Sequence, residues 1–166
     1  MNPFPGLRPF EMQEKYLFFG REDQTVELLK RLGQARFLAV VGTSGSGKSS
    51  LVRAGLLPEL HGGTMTDAGS SWEISVMRPG GDPLTNLARA LEDSGIYDTD
   101  EDNYYRHLRA MLGRSTMGLI EAVAQSKIKK EDNLLIVVDQ FEEIFRFRSD
   151  RSEERRVGKE CRSRWS

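Results

Sequence analysis

The chain has 166 residues, 38% apolar and 30% charged, with a formal net charge of −1, which is the balance of a globular domain with material for a core. No uninterrupted apolar run exceeds five residues, as at 37–41 and 134–138, against the roughly 20 needed to span a bilayer, so no membrane partner is expected. The N-terminal residues lack a basic region followed by an apolar core, which excludes a secretory signal by pattern and makes the cytoplasm the expected location.

Taken in chain order, 2–10 (NPFPGLRPF) holds three prolines and a glycine, and is expected to be an extended arm anchored by Phe4, Leu7 and Phe10. The spacing of Val26, Leu29 and Leu32 predicts an amphipathic helix over 22–32, stopped by Gly33. Residues 37–41 form an apolar run ending at glycine, the pattern of a buried parallel strand, and a second helix is expected from Lys48 towards Pro58. Trp72, Ile74 and Val76 alternate with Glu73 and Ser75, predicting a strand that stops at the turn signal 78–81. Asp82 then reads as an N-cap, Pro83 as the first helical residue, and Leu84, Leu87, Ala88 and Leu91 as the buried stripe of a helix. An acidic connection at 98–102 leads to helical patterns over 104–112 and 119–124 and to a third strand over 134–138. Strands alternating with helices imply an α/β fold with a mainly parallel sheet.

The last residues, 151–166 (RSEERRVGKECRSRWS), carry six basic and three acidic residues without periodicity. Residue for residue they resemble a translated short-read sequencing adapter, and are expected to be a non-native tail. Without them the chain has 18 basic and 22 acidic residues, a net charge of −4, so no basic surface for a nucleic acid is indicated. The same cut removes Cys161, the only cysteine, and His61 and His107 are too few and too far apart to suggest a metal cluster.

The chemistry is concentrated in two places. Gly42, Thr43, Ser44, Gly45, Ser46, Gly47, Lys48 and Ser49 match G-x-x-x-x-G-K-[ST], between a predicted strand and a predicted helix as the motif requires. Glycines let backbone N–H groups close around phosphate oxygens, and the following helix directs its positive end at them. Lys48 is expected on the β and γ phosphates, and the Ser49 hydroxyl at one position of an octahedral Mg²⁺ shell, while Ser50 is a helix residue next to the phosphate loop. The second place is the apolar run 134–138 ending in Asp139, which, paired with the P-loop, reads as a Walker B carboxylate holding Mg²⁺ through water. Glu142 and Glu143 follow. Either carboxylate could polarise an attacking water as general base, with Glu142 preferred by its spacing, or the pair could be an acidic first helical turn favoured by the helix dipole.

Five blocks, NPFPGLRPFE, FFGRE, VVGTSGSGKSSLVRAGLLPEL, VMRPGGDPL and LLIVVDQFEEIF, occur in this order, and with them the chain resembles the novel STAND NTPases of bacteria over 2–148. The resemblance implies a P-loop NTPase three-layer α/β sandwich that binds ATP and ADP with Mg²⁺. It also implies a hydrophobic-Gly-Arg element beside the adenine, which is carried here by Phe18, Phe19, Gly20 and Arg21. Read from the residues alone, that element is an aromatic turn leading into a helix. DQFEE is similar to the NACHT pattern of acid, small residue, apolar, acid, acid, with Gln140 in place of the small residue. The implied activity is that of a nucleotide-gated switch: ADP holds a closed monomer, and exchange for ATP permits self-assembly through the NTPase domain and activation of an effector.

The expected organisation is an extended arm over 1–20, an incomplete P-loop NTPase domain over 21–150 and the tail. In the P-loop class that the chain resembles, a further strand, later in sequence, lies between the P-loop and Walker B strands. About ten plausible native residues follow Asp139, too few for a strand, crossover and strand, so the sheet is expected to be truncated before its later strands. The P-loop and Walker B strands should then stand apart or pair directly, and the fragment should bind nucleotide weakly and lack turnover. Against this reading stand an ABC-type ATPase, disfavoured because no LSGGQ-like signature precedes 134, a small-molecule kinase, a GTPase, disfavoured by the lack of NKxD, and a nucleotide-binding interaction scaffold without turnover.

Overall fold

The structure is a computed structural model and describes residues 6, 8–63, 71–99 and 101–146. The expected anchors Phe4 and Leu7 and the tail 151–166 lie outside the described residues. The chain divides into two compact units, one made of the described residues up to Trp72 with Lys129–Asn133, the other of Glu73–Ile128 with the described residues from Leu134 on.

In the first unit a 3-10 turn, Met12–Leu17, precedes α1, Glu22–Gln34. The buried positions of α1 are Thr25 and Leu28, with Leu29 and Leu32 half-buried beside them, at spacings of three, four and seven. This corrects the expected face, since Val26 is exposed. Gly33 does not stop the helix, which runs one residue further and ends at Ala35.

The helix after the P-loop is continuous but not uniform: α2, Lys48–Ser50, passes into a π-helical segment, Leu51–Leu56, and then α3, Leu57–His61. The Leu57 N–H reaches back five residues to the Val52 carbonyl. Widening here precedes Pro58, whose missing N–H would break a regular α-ladder, and the helix therefore passes through the proline. Leu51, Ala54, Leu56, Leu57 and Leu60 are buried, each leucine contributing about 1.5–3 kcal/mol of burial.

In the second unit β1, Trp72–Met77, and β2, Asn133–Val138, pair as a two-stranded sheet. The Asn133 N–H donates to the Ser71 carbonyl at 3.0 Å and the Asp139 N–H to the Met77 carbonyl at 2.9 Å, so the paired numbers rise together and the strands run parallel. The connection between them is helical: α4, Pro83–Asp93, α5, Tyr105–Leu112, and α6, Gly118–Ala124. Asp82 caps α4 as expected, accepting from the Thr85 N–H at 3.3 Å and the Thr85 hydroxyl at 2.8 Å. Ala88, Leu91, Ile96, Leu108, Met111 and Ala122 form the core, with Leu134 and Ile136 of β2 packed against it. On β1 the buried side chains are Ser75 and Met77, while Ile74 is half-buried and Val76 exposed. Sequence alternation identifies two faces but does not say which one a sheet will bury.

The largest departure is at 37–41. This run forms no strand, and Phe37 and Val41 are 81% and 87% exposed, while Leu38 and Val40 are half-buried. A parallel strand is stabilised by ladder bonds on its flanks and by cover on both faces, and 37–41 has no ladder among the described residues. The described residues therefore form a mixed α/β fold with a small parallel sheet.

Candidate functional site

The P-loop lies in the first unit. Gly45 and Gly47 take φ of +75° and +82°, the left-handed region that side chains resist, and Gly47 is the N-cap of α2. A Cβ on Gly42 would meet the Ser46 hydroxyl at 3.1 Å. The Ser46 N–H closes a turn on the Thr43 carbonyl at 3.3 Å, whereas the N–H groups of Ser44, Gly45 and Gly47 have no acceptor among the described residues. Unpaired N–H groups converging at a helix N-terminus form a cradle for an anion.

Lys48 folds back over the loop, its Nζ donating to the carbonyls of Gly42 and Thr43, both at 2.9 Å. The ammonium is thus held above the loop by two exchangeable neutral acceptors, and a phosphate oxygen would make the stronger, charge-assisted bond. Ser49 is on the first turn beside it. Ser50 has a structural contact: its Oγ accepts the Phe10 N–H at 3.1 Å, tying the N-terminal segment to the P-loop helix. Two further ties run alongside, Arg53 to Glu11 at 2.8 Å and Arg8 to Glu14 at 2.6 Å, with Phe10 packed on Phe18 at 5.9 Å.

The aromatic-Gly-Arg element contributes unequally. Phe18 packs inward, Phe19 is exposed, and Gly20 turns at φ +79° with its N–H on the Glu22 carboxylate at 3.0 Å. Backbone N–H groups at the start of α1 hold that carboxylate below the usual range. Arg21 reaches the loop, its Nη2 donating to the Ser46 carbonyl at 3.4 Å. Arg21, Gln24, Val40, Thr43, Lys48 and Leu51 are among the residues lining a cleft of about 400 Å³ that opens over the P-loop. Gln24, which also takes a hydrogen bond from Arg21 at 3.2 Å, was not marked by any sequence motif.

Asp139, Glu142 and Glu143 lie in the second unit. Asp139 follows the last residue of β2, and its side chain is 10% exposed and lies 3.5 Å from the Arg78 guanidinium. Gln140 takes a left-handed φ of +57°, turning the chain away from the strand into bonds from the Glu143, Ile144 and Phe145 N–H groups to the carbonyls three residues before each. Glu143 is half-buried and accepts the Gly80 N–H at 3.0 Å, whereas Glu142 is exposed. The two glutamates thus have different environments, one committed to a loop and one facing solvent.

The family model described as Novel STAND NTPase 1 matches residues 3–161. The chain belongs to this family. No curated protein and no solved structure matches it. Membership brings a nucleotide-binding signalling NTPase at the level of the family. No helix among the described residues of this STAND NTPase is long and apolar enough to cross a membrane.

Proposed function

We propose that this STAND NTPase is an ATP-dependent switch whose P-loop holds the phosphates of ATP or ADP with Mg²⁺, and whose nucleotide exchange gates self-assembly and effector activation. The observation that carries the reading is the P-loop itself: glycines in left-handed conformations, N–H groups at a helix start without an acceptor among the described residues, and Lys48 held at the loop by exchangeable carbonyls. Hydroxyl and carboxylate oxygens on Ser49 and Asp139 are the hard donors that suit Mg²⁺, which when bound would neutralise charge developing on the phosphates. Lys48 would exchange its two carbonyls for β and γ oxygens. Arg21 and Gln24 lie on the cleft wall, where they could contact the rest of the nucleotide.

Glu142 is the preferred general base, by its spacing from Asp139 and because it faces solvent, whereas Glu143 is half-buried with one oxygen on the Gly80 N–H. The exposure of Phe37 and Val41 supports the proposal that 37–41 takes strand neighbours, and that the sheet of the three-layer sandwich is larger than the pair seen among the described residues. A cytoplasmic location is part of the same reading.

The test is calorimetry with Mg-ATP on the wild type and on Lys48→Ala. Loss of the charge-assisted bonds should weaken binding by about 1.5–3 kcal/mol, roughly 10- to 150-fold. Unchanged affinity would end the assignment.

A further inference from the structure

Two cations rest on the loop 42–49, and only Lys48 has a defined role in the reading so far. Lys48 donates to the carbonyls of Gly42 and Thr43, and Arg21 donates through Nη2 to the carbonyl of Ser46. The other arm of the guanidinium, Nη1, donates to the Gln24 carboxamide oxygen at 3.2 Å. All four acceptors are neutral. Among the described residues no carboxylate pairs with Arg21 or Lys48, and none lines the cleft that the two share.

Like charges drawn to one loop repel, so something other than their own bonds must hold them together. For Arg21 it is the backbone: the residue N-caps α1, and its carbonyl accepts the Thr25 N–H at 3.0 Å and the Thr25 hydroxyl at 3.1 Å. Thr25 is buried, and its hydroxyl lies against Gly55 of the P-loop helix. Packing of the two helices thus sets Arg21 beside the loop. Gln24, on the first turn of α1, then orients the guanidinium, and because a guanidinium only donates, the carboxamide must turn its oxygen towards it. Two of the five guanidinium N–H groups are engaged, by bonds of 3.2 and 3.4 Å to neutral oxygens that a phosphate oxygen would outcompete. Two cations without an acid between them suit a ligand with several negative charges, and the planar fork of an arginine fits a phosphate group.

We propose that Arg21 is a second phosphate ligand of the nucleotide site, taking an oxygen that Lys48 does not, and that Gln24 is the positioning residue that holds it there. The proposal rests on the reading of 42–49 as a phosphate loop. It assigns the guanidinium to the polyphosphate rather than to the adenine that the family resemblance implies for the aromatic-Gly-Arg element.

The experiment compares two ligands on the full chain by calorimetry: ATP, and inorganic tripolyphosphate, which has neither base nor sugar. No Mg²⁺ is added, so that no metal shell enters the comparison. Arg21→Ala should weaken both ligands by the same factor, about three- to tenfold, and Arg21→Lys, which keeps the charge but loses the fork, should weaken them less. Gln24→Ala should weaken both about two- to threefold and add nothing in the Arg21→Ala background, because it acts through the guanidinium. Should a thermal melt show Arg21→Ala unfolded, Arg21→Gln serves for the same comparison. If the Arg21 variants lose ATP affinity while tripolyphosphate binds as it does to the wild type, Arg21 belongs to the base and the proposal is overturned; unchanged binding of both ligands overturns it as well. An effect of Gln24→Ala that persists beside Arg21→Ala overturns the positioning role alone. Tripolyphosphate that does not bind the wild type, or that binds Lys48→Ala equally well, removes the phosphate-loop reading and the proposal with it.

Discussion

At the scale of single residues the conformation of the loop 42–49 was legible, because left-handed turns at Gly45 and Gly47 call for a residue type that a sequence displays directly. Gly47 at φ +82° is required by the turn itself. Gly47→Ala is expected to cost about 1–2 kcal/mol in stability and to weaken nucleotide binding, measured by thermal unfolding and calorimetry; an unchanged midpoint would contradict the conformation. Ser75 was less legible: it reads as the polar face of β1 but is 1% exposed, with a hydroxyl that has no partner among the described residues. An unpaired buried hydroxyl costs about 1–3 kcal/mol, so Ser75→Ala should leave stability unchanged or raise it, whereas clear destabilisation would reveal a missing acceptor. Glu142 and Glu143 could not be separated by spacing alone. The Gly80 contact separates their environments; on the proposed reading Glu142→Gln is expected to keep binding but lose hydrolysis, while Glu143→Gln chiefly loosens the 78–80 turn. Hydrolysis lost only in Glu143→Gln would reverse the assignment.

At the scale of elements, the helices were predicted to within a few residues where caps or periodicity were strong, as in α4, and the face was misjudged where packing chose it, as in α1. The P-loop helix packs against α1 at Gly55, where an added Cβ would lie 2.6 Å from the Thr25 hydroxyl and 3.5 Å from Phe18. Gly55→Ala should destabilise the protein by about 1–3 kcal/mol through overpacking, and Thr25→Ala should recover part of the loss in a double-mutant cycle. Additive effects would show that the two helices do not meet there. The segment before α1 is held by charge. The Arg8 guanidinium, followed by the Glu11 N–H, lowers the Glu14 carboxyl to about 2 from its ordinary 4.5. A depressed carboxylate stabilises the latch above its unfolded value, so this contribution should be complete above pH 4.5 and disappear as pH falls towards about 2. NMR titration of the Glu14 carboxyl would find a midpoint near 4.5 if the latch did not form.

At the scale of the whole molecule, the sequence implied a mainly parallel sheet, and the described residues form one parallel pair of strands. Phe37 and Val41 are exposed at the two ends of a run that has no strand partner among the described residues, the kind of edge that promotes association. Phe37→Lys is expected to reduce self-association of the chain in sedimentation velocity without altering the P-loop cleft, and unchanged association would direct attention elsewhere. The sequence by itself determined the P-loop, the Asp139 strand end, the capped helix after β1 and the family, because each rests on local chemistry or fixed spacing. Tertiary structure alone decided which faces of α1 and β1 are buried, which glutamate is tied to a loop, and that Arg78 stands against Asp139. Those outcomes depend on residues far apart in sequence: α1 meets the P-loop helix at Gly55, and Arg78 and Glu143 reach their partners through the register of two parallel strands, and no local pattern encodes either contact.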